Sequence, residues 1–262
     1  MNEPTAFSIP EFNSLLTTKA IGRDFRYNEQ VGSTMDLARG AASDGASHGT
    51  LFFAEEQTAG RGRRGRSFYS PARLNLYFTL ILRCPMEVHR RLPVLVPAAV
   101  CGAIADQGLE SAIKWPNDIW VGGRKVCGML IDGEISPAGA VAMPGIGINV
   151  NGDPTEEPEL ARIATSVRRE LGHGVSREAL LARVCGNLEE LLAAPFDDAL
   201  AQYRALSCVL GRAVRVKPAA GDEFEATASS INDDGSLWVR RTDGRRELVT
   251  AADVSLRPSR AE

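Results

Sequence analysis

A chain of 262 residues, 44% apolar and 24% charged, has the composition of an ordinary globular protein and ample material for a buried core. Its formal net charge of -3 excludes a surface built throughout to neutralise phosphates, so any anion site must be local. Cys84, Cys101, Cys127, Cys185 and Cys208 form no CxxC pair and read as buried thiols; with no signal-peptide pattern and no window of bilayer-spanning length, the expected setting is cytoplasmic, without a membrane.

Residues 1–24 read as a loosely structured lead. Phe25 to Val31 is a candidate strand ending at Gly32, after which Ser33 or Thr34 can cap a helix through Met35 to Arg39 that stops near Gly45. Thr50 to Ala54 and Leu74 to Leu82 are apolar runs of strand type, and Leu92 to Gln107 is a mostly apolar helix. From Ala112 the pattern becomes a meander. Ile119-Trp120-Val121, a Gly122-Gly123 turn, Lys125 to Ile131 and Gly145 to Val150 predict three neighbouring antiparallel strands. Residues 159–206 read as helical, broken at Gly172-His173-Gly174 and near Pro195, with Ser176 capping the second segment. Beyond Gly211, short strands punctuated by Ala220-Gly221-Asp222, Asp233-Asp234-Gly235 and Asp243-Gly244 predict a small barrel or sandwich. The expected domains are 1–209 and 210–262.

The segment GRGRRGR, residues 60–66, spells GxGxxG and carries four arginines. A dinucleotide-binding turn needs a helix directly after the glycines, yet Ser67-Phe68-Tyr69-Ser70-Pro71 follows, and Pro71 disfavours helix at Ser70. A nucleic-acid arm rests on charge alone, and no helix-turn-helix, RNP motif or metal finger accompanies it. A solvated basic loop remains open, as does a closing loop whose glycines give backbone freedom and whose arginines fork onto carboxylate or phosphate oxygens. A closing loop needs a catalytic partner elsewhere. Lys114-Trp115-Pro116-Asn117-Asp118, followed by Lys125 on the return strand, offers one; alone it also reads as a turn with solvent-facing lysines.

Taken together, VGSTMD, EQTAGRGRRGRSFYSP, KWPNDIWVGGRKVCGMLIDGE and GIGINVN resemble, in order, the signatures of biotin protein ligases, over roughly residues 25–257. The resemblance implies an α+β fold: a mixed, largely antiparallel sheet covered by helices, of class II synthetase type, plus a small C-terminal SH3-like β-barrel. It implies an enzyme that joins ATP and biotin into biotinyl-5'-AMP and passes biotin to a lysine of a biotin carboxyl carrier domain, part of a biotin-dependent carboxylase. Mg²⁺ is implied as the companion of ATP, although no carboxylate cluster identifies a metal cage.

By the same resemblance, Ser33, Thr34, Met35 and Gln57 belong to the biotin ureido end, and Arg61, Gly62 and Arg63 fold over biotin. Arg63, Arg66, Phe68, Asn117, Lys125 and Asn149 serve ATP or the adenylate, and Lys114 is the first choice for catalysis, with Arg63 and Asp118 beside it. Gly128, Gly145 and Gly147 allow close approach to the sheet. Two positions depart from many bacterial members, Met35 where they carry Asn and Phe68 where they carry Trp. The short lead before Ser33 implies no sequence-specific DNA-binding domain, and the assembly is expected to be a monomer or homodimer. A lipoate ligase or octanoyltransferase of the same fold, or a non-catalytic biotin- or nucleotide-binding protein, are the alternatives. Cys127 on its apolar strand reads as an inert core thiol, and His48, His89 and His173 form no triad or HExxH.

Overall fold

The computed structural model describes residues 5–137, 139–218, 221–250 and 252–256, with every side chain among them except that of Arg64. The ends of the two expected domains and the Ala220 of an expected turn lie outside the described residues.

The lead is more ordered than its sequence suggests. Helix α1 (Ile9–Leu15) is capped by Ser8, whose hydroxyl accepts from the Glu11 amide. Phe7, Phe12, Leu16 and Ile21 are buried in the main core, and the Phe7 ring stacks on Phe25 at 5.4 Å. Apolar spacing over so short a helix is ambiguous in sequence; the helix persists because the sheet covers that face.

Strand β1 (Phe25–Val31) pairs in parallel with β2, over Leu51–Gln57, through the crossover helix α2 (Thr34–Ser43). Ser33 caps α2 by accepting from the Met35 amide. The remaining pairings of the eight-stranded sheet are antiparallel: β3 (Leu76–Leu80) and β4 (Leu82–Cys84) both meet β8 (Gly139–Ile148), which continues through β7 (Arg124–Ser136) and β6 (Asp118–Val121) to β5 (Ser111–Lys114). The expected meander is thus present as β6, β7 and β8, and β5 adds an edge strand that the sequence pattern did not reveal.

Helix α3 (Met86–Ala105) starts six residues before the expected Leu92 and carries Pro93 and Pro97 within it. At full length it reaches membrane-spanning length and apolarity, with a mean hydropathy of 1.3, against the expectation that no window would. The physical reason is packing: α3 is a core helix, with Leu92, Leu95, Val96 and Ile104 buried against the sheet, α5 (Arg177–Ala193) and α6 (Phe196–Leu206). Residues 159–166 form turns instead of helix, and α4 (Val167–Leu171) ends at Gly172, which adopts φ +81°. Ser176 caps α5 as expected. Arg177 at the start of α5 reaches into the core, where its Nη1 lies 2.5 Å from Oε2 of the fully buried Glu55 on β2.

The C-terminal unit is a five-stranded antiparallel sheet of SH3-like type, ordered β12-β11-β10-β9-β13: β9 (Ala213–Pro218), β10 (Phe224–Ile231), β11 (Leu237–Arg241), β12 (Arg246–Val249) and β13 (Ala252–Leu256). Val214, Val216, Leu237 and Val239 bury its inner face in one continuous cluster with the core of the larger sheet. Its β10–β11 turn is moored to the larger domain. The buried Trp115 indole N–H donates to the Gly235 carbonyl at 2.7 Å, and Gly235 at φ +78° sits so close to Pro93 that an added Cβ would lie 2.9 Å from it.

Candidate active site

A cleft of about 470 Å³ opens on one face of the larger sheet, between the N-terminus of α2, the end of β2, the arginine segment and the glycine-rich stretches of β7 and β8. Its closed end is polar and pre-arranged. Gln57 Oε1 accepts from the Thr34 amide at 2.9 Å and from the Thr34 hydroxyl at 3.1 Å, and that hydroxyl also meets Thr79 Oγ1 at 2.9 Å. These bonds commit the Gln57 oxygen, while its amide nitrogen donates to Ser70 Oγ at 3.5 Å. Ser33, Thr34 and Thr79 are buried, so this network is held in a low-dielectric setting where hydrogen bonds discriminate strongly.

The floor is glycine backbone interrupted by Met129, Leu130 and Ile146. The three glycines expected to admit a ligand, Gly128, Gly145 and Gly147, all line the cleft, and side chains of the protein stand close over them. A Cβ on Gly147 would lie 2.5 Å from the Phe68 ring, one on Gly128 would lie 2.7 Å from Lys125 Nζ and 3.2 Å from Phe68, and one on Gly145 would lie 2.7 Å from Met35. The substitutions Met35 and Phe68 therefore both fill this floor, a thioether on one side and a phenyl ring on the other.

The arginine segment joins two strands, β2 and β3, so the strand–turn–helix geometry of a dinucleotide site does not arise. It folds back on itself instead: Arg61 bridges Ser67, the Gly62 amide donates to Arg66 O at 2.7 Å, and the Phe68 amide donates to Gly60 O at 2.9 Å. Gly60 is tightly enclosed, with Phe68 O and Ser70 Oγ both 2.9 Å from where a Cβ would stand. Arg61 pairs with Asp36 at 2.6 Å, Arg66 with Asp253 of β13, and Arg63 Nη1 reaches Asn117 Oδ1 at 3.4 Å and Ala252 O at 3.1 Å. Two of the arginines thus tie the segment to the C-terminal sheet.

Opposite them lies the Lys114–Asp118 turn, closing the β5–β6 hairpin with Lys114 directly paired to Asp118. Asn117 and Met129 exchange two bonds, Nδ2 to Met129 O at 2.6 Å and Met129 N to Asn117 O at 3.0 Å, which fasten the turn to β7. Lys125 Nζ pairs with Asp118 at 2.7 Å, while Lys114 Nζ stands 4.9 Å from the Trp120 ring centroid, without a carboxylate partner among the described residues.

Ser33, Thr34, Met35, Gln57, Arg61 and Gly62 line this cleft, as do Arg63, Phe68, Asn117, Lys125 and Gly128. Lys114, Asp118 and Arg66 line an adjoining groove that shares Gly62, Arg63, Phe68, Asn117 and Lys125 with it. Asn149 lines neither. Its amide donates to Thr165 O at 3.0 Å and holds the segment before α4 against β7. Cys127 lies fully buried in β7, where burial pushes its thiol far above the usual range, so it offers no nucleophile.

The Biotin/lipoate A/B protein ligase family matches residues 27–151, and the Biotin protein ligase C terminal domain matches residues 209–257. The biotin–[acetyl-CoA-carboxylase] ligase of Mycobacterium tuberculosis is 33% identical over 246 residues, 86% of each chain. The bifunctional ligase/repressor BirA of Bacillus subtilis is 30% identical over 98% of this chain and 81% of its own. This chain belongs to the biotin protein ligases. The biotin protein ligase of Aquifex aeolicus, solved in complex with biotin and ATP, superposes with a TM-score of 0.75 at 26% identity, covering 90% of this chain and all of that one.

Within this ligase fold, several residues escape a motif search. Thr79 sits in an apolar run that reads as core, and only the register of β3 brings its hydroxyl to Thr34. Met129, Leu130 and Ile146 look like ordinary strand residues. Ala252, Asp253 and Gly235 lie more than a hundred residues from the segments they touch, and no periodicity signals that contact.

Proposed function

We propose that this ligase activates biotin as biotinyl-5'-AMP and transfers it to a lysine of a biotin carboxyl carrier domain of a carboxylase. The observation that carries this reading is the polarity gradient of the cleft: a neutral hydrogen-bonding network at the closed end and a cluster of cations at the mouth. A ureido ring offers two N–H donors and a carbonyl, which suits the hydroxyls of Ser33 and Thr34 and the amide of Gln57. The carboxylate at the far end of biotin then meets Arg63 and Lys114.

In the first step a carboxylate oxygen attacks the α-phosphorus of ATP, and the bond to the β-phosphate oxygen breaks with release of pyrophosphate. Two anions must approach, and charge builds on the phosphoryl oxygens; fixed cations at that point lower the barrier because they need no reorganisation. Lys114, which holds no carboxylate, has its full charge available for this, and Asn117 aligns Arg63 with the same centre. Asp118 holds Lys125 in place. In the second step the acceptor amine attacks the acyl carbonyl, loses a proton, and AMP leaves. Arg61, Gly62 and Arg63 cover the anhydride against water meanwhile.

Among the described residues no three His, Cys, Asp or Glu groups converge to hold a metal ion, and Asp118 and Asp253 are engaged by Lys125 and Arg66. Mg²⁺ is therefore expected to arrive on the ATP phosphates, held by phosphate and water oxygens, without a protein-built cage. Five unpaired cysteines support a reducing, cytoplasmic setting. The test is mass spectrometry of an apo biotin-carrier domain and an apo lipoyl domain after incubation with the protein, ATP, Mg²⁺ and biotin or lipoate. A biotin-sized mass gain on the carrier domain is expected; lipoylation without biotinylation would overturn the reading.

A further inference from the structure

The groove beside the cleft, about 1100 Å³ in volume, runs between the Lys114–Asp118 turn and strand β9 of the C-terminal sheet. Its walls carry six cationic side chains against three carboxylates, on a protein whose formal net charge is -3. The carboxylates are all engaged: Asp118 by Lys125, Asp253 by Arg66 and Glu223 by Lys217 at 3.2 Å. Lys114 and Arg215 face the same groove from opposite domains, and neither makes an ion pair among the described residues. Their charges are left uncompensated where like charges repel, an arrangement that stabilises only when an anion enters.

The placement of Arg215 follows from strand geometry. Along β9, Val214 and Val216 turn into the core while Arg215 and Lys217 share the opposite, exposed face. The β10–β11 turn, anchored by Trp115 to Gly235, holds this sheet against the larger domain, so the groove keeps its width. Lys125 lines both cleft and groove and stands where they meet, whereas Lys114 and Arg215 line the groove alone.

We propose that Arg215, supported by Lys217, binds the leaving diphosphate: the β- and γ-phosphates of ATP before adenylation and pyrophosphate after it. This rests on the adenylation reading for its place in the reaction. The net excess of three positive charges in the groove matches a diphosphate in charge. A guanidinium offers two parallel donors to a terminal phosphate, a geometry that an ammonium does not reproduce. The C-terminal sheet is then part of the nucleotide site.

The experiment measures binding of inorganic pyrophosphate by calorimetry to the full chain, so its outcome does not depend on which acid is activated. Arg215→Ala is expected to weaken pyrophosphate binding and raise the KM for ATP about tenfold, the usual cost of one charge-assisted contact. Biotin affinity should stay within about twofold, since the closed end is unaffected. Arg215→Lys should restore part of the loss, and Arg246→Ala, which removes equal charge on β12 outside the groove, should change nothing. A second measurement follows transfer from preformed enzyme-bound adenylate to an apo carrier domain, where Arg215→Ala should be indistinguishable from wild type. Unchanged pyrophosphate and ATP binding overturns the proposal, as does a loss confined to the transfer step, which would assign the groove to an acidic face of the acceptor. Biotin-dependent exchange of labelled pyrophosphate into ATP by the wild type tests the adenylation reading separately.

Discussion

Replacing Lys114 by alanine separates chemistry from stability better than any other substitution at this site. The residue is half-buried and makes no ion pair among the described residues; its ammonium stands 4.9 Å from the Trp120 ring centroid. Removing it strands no buried carboxylate, so the stability cost is that of a partly exposed cation–π contact, about 0.5–1 kcal/mol. Lys125→Ala differs, because it would leave Asp118, held at 2.7 Å, without its partner. The catalytic cost of losing Lys114 is larger: removing one preorganised charge from a developing oxyanion costs about 2.7–4 kcal/mol, or roughly 10²–10³ in rate. Single-turnover formation of biotinyl-5'-AMP, followed by pyrophosphate release at saturating ATP and biotin, reads the chemical step, and thermal denaturation reads stability. Lys114→Ala should lose about two to three orders of magnitude in the first with a melting shift of only about 1–4 °C. Adenylate formation within threefold of wild type would refute the assignment, and so would a rate loss matched by a large fall in melting temperature.

Gly147→Ala places a methyl group 2.5 Å from the Phe68 ring and must displace it. Adenylation should fall about tenfold, and adding Phe68→Ala should cost little more, because both changes act through one contact; additive losses in the double variant would contradict this. Arg177→Met leaves the fully buried Glu55 unpaired and should cost about 3–5 kcal/mol, lowering the melting temperature by roughly 6–20 °C with biotin affinity retained in the folded fraction. Equal stability by chemical denaturation would show that the Arg177–Glu55 pair does not hold the core together. The Ser236 hydroxyl, then its amide, hold the Asp234 carboxyl below its ordinary 3.8, beside the turn that anchors Trp115. Because the folded value is the lower one, this stabilisation is present above pH 3.8 and is lost as pH falls through the folded value. Stability measured against pH in acid should therefore fall less steeply for Asp234→Asn than for wild type; identical slopes would remove Asp234 from the anchor.

At the polar end of the site, Ser33 was readable as a helix cap because capping is local to the first turn, whereas Gln57 was placed there by resemblance and is brought there by the parallel β1–β2 pairing. GRGRRGR and KWPND each admitted bland readings alone, and only their order along the chain pointed to a ligase. The lead was misjudged because a helix of seven residues has little intrinsic stability and exists through Phe12 packing against the sheet. Asn149, expected near phosphates, lines neither the cleft nor the groove and donates its side-chain amide to Thr165 O.

Composition, caps and turn chemistry by themselves pointed to most of the strands and helices and to the acidic balance that makes any anion site local, and the order of the motifs along the chain pointed to the family. Tertiary structure alone decided what fills the glycine floor, with Phe68 and Met35 in the space above Gly147 and Gly145. It also decided that β9 and β13 of a distant sheet wall the groove beside the cleft. The physical reason is range: capping and strand alternation act over a few residues, whereas the Trp115–Gly235 bond and the facing of Lys114 by Arg215 exist only when two cores pack as one.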